Sequence, residues 1–194
     1  MSKIHVSRWN HNVGLCDPKY SLVLRNNRIT KKILSLLKIK SQEDNLVFPF
    51  FSLLNPNNII GAYRSKPNKK EEYKGLKGCA NDYLYPLCVP NVEFDNTKTL
   101  HLVKSPLAVA KYLSDDRNAI AYCRQDKVSP SLVEYIVNNN IKEIKCVGFK
   151  RRHVLEWKLH EYRHDCLITS WLQKNLDDPN RIIWRVLFGM WRDR

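Results

Sequence analysis

The chain has no run of about eighteen apolar residues, so no segment of it is expected to cross a bilayer as a helix. Its first residues, MSKIHVSRWNHN, lack the apolar core of a secretory signal. Six cysteines are present and none forms a Cys-x-x-Cys pair, the spacing on which most small zinc sites and dithiol redox sites are built. No Gly-x-x-x-x-Gly-Lys-Ser/Thr loop occurs, which excludes a P-loop motor. Acidic residues are scarce: 19 against 33 lysines and arginines. No internal repeat of solenoid period is visible.

What is present is a basic chain able to form a core. The 194 residues fit one domain, or one domain with a small extra lobe, and 43% are hydrophobic. The net charge of +14 repels itself unless an anion neutralises it. Nucleic acid is the commonest polyanion and a membrane surface its rival; a basic protein with neither partner is the plainer alternative. Cys123 and Cys146 lie inside apolar runs and read as small core residues. The cysteine usage suits a reducing, intracellular compartment: cytoplasm, or the nucleus or organelle matrix of a host.

Along the chain, residues 1–18 read as an irregular basic arm, and Ile29, Ile33, Leu36 and Leu37 share the face of a short helix with Thr30 as its cap. In LVFPFFSLLNPNNIIGAYRSKP, two apolar runs flank Asn55-Pro56-Asn57-Asn58, which predicts a β-hairpin. Pro49 is placed near an edge or bulge, since it has no N–H to give to a ladder. From Thr97 the pattern changes to strand (Leu100–Val103), helix (Ser105–Ser114), strand (Asn118–Cys123), helix (Pro130–Asn139), strand (Ile141–Phe149) and helix (Arg152–Leu159). Such alternation predicts right-handed crossovers and a mainly parallel sheet. The fold class is therefore α/β: a small hairpin lobe followed by a mainly parallel sheet flanked by helices. Ligands of such sheets lie outside the carboxyl ends of the strands, where Lys104, Arg124, Lys150, Arg151 and Arg152 stand. The tail NRIIWRVLFGMWRDR has helical amphipathic spacing, with Ile183, Leu187 and Met190 on one face; it docks on its own sheet or serves a protein partner.

The order of these elements resembles the catalytic half of bacterial and phage-type DNA primases and primase-helicases, the Toprim family. Leu46 to Pro49, Ile59 to Ala62 and Arg64 stand where that family has its pre-Toprim hairpin. LHLVKSPLAVAKYL resembles the first Toprim strand, turn and helix, NAIAYCRQDKVSPSLVEYIVNNN the second strand and helix, and IKEIKCVGFKR the third strand with its turn. The likeness covers roughly Leu46 to Leu187, and the order of the motifs carries it. It implies four parts: a basic arm and short helix (1–45), a primase-like hairpin lobe (46–96), a Toprim-like core (97–180) and a C-terminal amphipathic helix (181–194).

The departures are informative. A Toprim enzyme holds a divalent metal with a glutamate after the first strand and two aspartates after the third; here Lys104, Gly148 and Lys150 stand in those places. Three carboxylates have become two ammonium groups and a glycine, a set that repels Mg²⁺. The resemblance therefore implies no catalytic residues, no metal and no cofactor, but a phosphate-binding edge made by Lys104, Lys150, Arg151, Arg152 and Arg124, assisted by amides at the start of the Ser105 helix. Alternatively, Lys104 merely extends into solvent. In the hairpin lobe, Arg64, Lys69, Lys70, Tyr73 and Lys74 combine cations with an aromatic ring, as surfaces that bind single strands do.

His153, His160, His164 and Cys166 faintly suggest zinc, without an obvious fourth ligand, and ordinary surface histidines are the simpler reading. Asp126 alone approaches the old metal position, and one carboxylate is a poor magnesium cage. The expectation is a non-catalytic Toprim-like protein that binds single-stranded DNA or RNA as an accessory or scaffold in a replication assembly of a virus, plasmid or mobile element. The alternatives are a protein-interaction or structural role in a ribonucleoprotein or as an inhibitor of a host enzyme, and an active metal-dependent primase or nuclease using unrecognised acids.

Overall fold

A computed structural model describes residues 24, 28–42, 45–52, 55, 57, 59–65, 74–75, 84–121, 128–149 and 151–171. The first elements are α1 (Lys31–Leu36), β1 (Lys40–Gln42), β2 (Asn45–Phe51), β3 (Ile59–Ser65) and β4 (Lys74–Gly75). Thr30 caps α1, its Oγ1 accepting from the Ile33 amide at 3.4 Å. The four strands form one antiparallel sheet in the order β1-β2-β3-β4. β2 and β3 are the expected hairpin, with a bulge between Phe50 and Phe51. Pro49 is tolerated because the β1 pairing stops opposite Val47, so among the described strands residue 49 has a neighbour on one side only. β1 was not foreseen from the sequence: three polar residues, Lys40-Ser41-Gln42, carry no alternating apolar signal, and pairing with β2 alone makes them a strand.

The second sheet is built from β5 (Leu100–Val103), α2 (Pro106–Ser114), β6 (Ala119–Ala121), α3 (Pro130–Asn138), β7 (Glu143–Val147), α4 (Arg152–Glu161) and β8 (Leu167–Trp171). Its order is β6-β5-β7-β8 and every pairing is parallel. Two helices open with the same device, a serine cap followed by proline. Ser105 Oγ accepts from the Ala108 amide and Ser129 Oγ from the Leu132 amide, each at 3.2 Å, while Pro106 and Pro130 pre-set the first turn. β8 was also missed in the sequence, since Leu-Ile-Thr-Ser-Trp alternates too weakly to stand out.

The parallel sheet is covered on both faces. One face, with α3 and α4, buries Leu100, Leu102, Ile120, Ile144 and Cys146 against Leu132, Ile136, Leu155 and Leu159. The other face shares a core with the antiparallel sheet: Val103, Val109, Ala119 and Ala121 pack in the same cluster as Ile33, Leu37, Phe48 and Phe50. A hydrogen bond from the Thr30 amide to Ser114 Oγ (3.1 Å) ties α1 to the end of α2. Tyr85 is fully buried between the two sheets, edge-on to Phe48 (6.0 Å) and tilted against Phe50 (5.4 Å), and its carbonyl accepts from the Ala121 amide at 2.7 Å.

The amino-terminal ends of the parallel strands hold a compensated polar network. Thr99 Oγ1 donates to Glu143, Glu143 pairs with Lys145 (3.3 Å), and the Asn118 side chain donates to the Asp95 carbonyl (2.6 Å). His101 is buried on β5, hydrogen-bonded through Nδ1 to the Asn118 carbonyl (3.0 Å) and packed on Tyr112. Burial lowers its affinity for a proton and the nearby Lys145 and Arg117 lower it further, against the opposing pull of the Asn118 and Thr99 carbonyls.

Two predictions follow from this packing. The Tyr85 hydroxyl is buried without a hydrogen-bond partner among the described residues, so Tyr85→Phe removes a desolvation cost and is expected to stabilise the fold by about 1 kcal/mol, read as a raised melting temperature. Because the folded state lowers the His101 pKa, the unfolded chain takes up its proton first as pH falls. Stability is therefore fully present above the ordinary histidine range and declines below about pH 6.5. His101→Phe should flatten that decline between neutral pH and the carboxylate range in urea titrations.

Candidate nucleic-acid interface

The topology creates one crevice. From β5 the chain passes through α2 to β6 on one side; from β6 it returns through α3 to β7 on the other side of β5. Adjacent strands β5 and β7 thus send their following loops to opposite faces of the sheet, and α/β proteins bind ligands at the carboxyl ends of such a strand pair. Lys104 directly follows β5 and Gly148 directly follows β7.

These two residues touch. Gly148 has φ +71°, a backbone conformation that disfavours any side chain, and the Lys104 chain lies across its bare Cα. A Cβ at residue 148 would stand 2.5 Å from Lys104 Cε, 3.4 Å from Cδ and 3.3 Å from Nζ. The absence of a side chain is what gives the lysine its seat. Lys104 as a whole remains exposed, and no acid pairs with it among the described residues.

The two helix starts at the crevice differ. α2 has little to offer an anion: Pro106 has no N–H and Ser105 Oγ already takes the Ala108 amide. This corrects the expectation that the Ser105 helix supplies an amide cluster. α4 differs, because its cap residue Arg151 makes no side-chain cap hydrogen bond, which leaves its first-turn amides without that cap. No acid stands in the first turn of α4, and the exposed Arg151 and the half-buried Arg152 begin it. Cations at the positive end of a helix dipole oppose the usual preference for acids there, so this end gains stability from a bound anion.

Of the other residues singled out from the sequence, Arg152 is engaged: its Nε pairs with Glu156 at 2.6 Å and its Nη1 reaches Ser170 Oγ at 3.4 Å. It therefore acts as a brace between α4 and β8 rather than as a free cation. Arg64 and Lys74 lie in β3 and β4, and the register sets positions 64 and 74 opposite each other. Lys150, Arg124, Lys69, Lys70, Tyr73, Asp126 and the tail 181–194 lie outside the described residues.

The histidine and cysteine group does not form a site. His153 and His160 are exposed on α4, while His164 Nε2 hydrogen-bonds the Ile141 carbonyl at 2.8 Å. Among the described residues no three of His, Cys, Asp and Glu lie close enough to hold a metal ion. Burial pushes the Cys146 thiol up to about 12 and the Cys166 thiol up to about 11, which leaves neither a ready nucleophile at neutral pH.

Fold and crevice together define a doubly wound α/β protein whose topological switch point carries a lysine. Comparison with protein-family models and with curated proteins found no match.

The role of Gly148 is testable. Gly148→Ala adds backbone strain of about 1–2 kcal/mol and pushes Lys104 off its seat. In a double-mutant cycle with Lys104→Ala, the steric part should vanish and the backbone part remain, so the two changes are non-additive in denaturant midpoints.

Proposed function

We propose that this chain binds single-stranded or structured nucleic acid through the carboxyl edge of its parallel sheet, as a non-catalytic, Toprim-like accessory or scaffold within a replication assembly of a virus, plasmid or mobile element. The observation that carries the reading is the Lys104 side chain laid across Gly148 at the switch point, without an acidic partner among the described residues. A tethered ammonium there attracts phosphate directly, with no need of a divalent ion. The uncapped start of α4, with Arg151 beside it, adds fixed positive potential to the same edge. The net charge of +14 supplies long-range attraction, and the basic positions 64 and 74 of the hairpin lobe extend the favourable field.

In this reading the contacts are to phosphate, so they set affinity and orientation rather than sequence preference. Magnesium is a competitor here, since it screens the phosphates instead of bridging them to carboxylates.

The test is fluorescence anisotropy with a single-stranded oligonucleotide over a salt series, with and without a chelator. Wild type should bind near physiological salt and be indifferent to the chelator. Lys104→Ala and Lys150→Ala should each weaken binding and make the plot of log affinity against log salt shallower by about 0.7. Absence of binding near physiological salt, or unchanged slopes in both variants, overturns the proposal.

A further inference from the structure

α4 leads away from the switch-point crevice and holds an aromatic ring in water. It begins at Arg152, directly after the exposed Arg151, and its inner face is fixed by the buried Leu155 and Leu159. Residues four apart share a helix face, so His153, Trp157 and Glu161 form the opposite stripe with His160 beside it, and all four are exposed. Trp157 is 62% exposed. Tryptophan is a highly buried residue type on average, so a ring left this bare is informative where an exposed leucine is not.

The charges along this stripe have a direction. Arg151 and His153 stand toward its start, and Glu161 stands beyond the ring. Between Arg151 and His164 the chain has four Lys/Arg against two Asp/Glu, and one of those acids, Glu156, is held by Arg152. Tyr162 and Leu167, the other large exposed apolar residues among the described ones, lie past Glu161. From Arg151 to Trp157 the helix rises by about 9 Å, which is about three nucleotides at the stacked spacing of one strand. A strand with phosphates at the crevice can therefore bring its next bases to the ring by running along α4.

We propose that Trp157 is a stacking platform for the bases of a single strand whose phosphates are held at the carboxyl edge of the parallel sheet. This role rests on the phosphate-binding reading of that edge. It adds what phosphate contacts alone lack, a means of telling unpaired bases from paired ones. Every base has a π-face, so the ring selects for strandedness and not for sequence. In a duplex those faces are taken by neighbouring pairs. Arg151 supplies charge complementary to the backbone beside the ring, and an apolar protein partner would have no use for it.

Fluorescence anisotropy with two probes of equal charge tests this: a short oligothymidylate, and the same backbone with abasic sites throughout. Trp157→Ala should weaken oligothymidylate binding about tenfold and leave the salt slope unchanged, while Trp157→Phe keeps most of the affinity. Wild type should bind the abasic backbone as weakly as Trp157→Ala binds the thymidylate. The alanine variant should treat the two probes alike, and its affinity for a duplex of the same length should match that of wild type. The side chain is exposed, so melting temperatures should not move in either variant. Wild type binding both probes equally, or Trp157→Ala losing no affinity, overturns the platform, leaves the phosphate edge standing and frees the ring for a protein contact. No binding of oligothymidylate by wild type near physiological salt overturns both.

Discussion

The carboxyl edge of the parallel sheet is shaped by a missing methyl group. Gly148 leaves room for the Lys104 chain, and its positive φ turns the backbone at the end of β7 toward α4. Both conditions follow from the parallel pairing of β5 with β7, which brings the ends of two strands some forty residues apart in sequence to the same level. Without that register the lysine would extend freely into water. With it, the ammonium is held beside the one crevice that the strand order creates.

The two ends of the parallel sheet follow opposite electrostatic rules. At the amino-terminal ends, an acid and the buried polar groups have partners: Glu143 with Thr99 and Lys145, Asn118 with Asp95, His101 with the Asn118 carbonyl. At the carboxyl ends, Lys104 and Arg151 have no acid beside them among the described residues, and Arg152 alone is neutralised, by Glu156. A compensated end contributes to folding; an uncompensated end stores repulsion that a ligand can release. The contrast lies within one sheet, so it does not reduce to the average basicity of the chain.

Much of this architecture was legible in the sequence, for definite reasons. β5, α2, α3 and β7 follow apolar periodicity and are punctuated by Ser-Pro starts, and the observed limits differ from the expected ones by a residue or two. The hairpin announced itself through Asn-Pro-Asn-Asn between apolar runs. β1 and β8 were silent because tertiary pairing, not composition, makes them strands. In the site, Lys104, Gly148 and Arg151 were marked by position at strand ends. Their geometry was not: nothing local says that a lysine will lie on a glycine from another strand, that Arg152 will be spent on Glu156, or that α4 rather than α2 starts without a side-chain cap. Those facts arise from the register between β5, β7 and β8.

Tyr85 has a consequence for the joint between the two sheets. Its ring packs on Phe48 and Phe50 of the antiparallel sheet while its carbonyl takes the Ala121 amide of the parallel one, so a single residue is anchored in both. Loosening either sheet disturbs the other, and the two should melt as one cooperative unit rather than in succession.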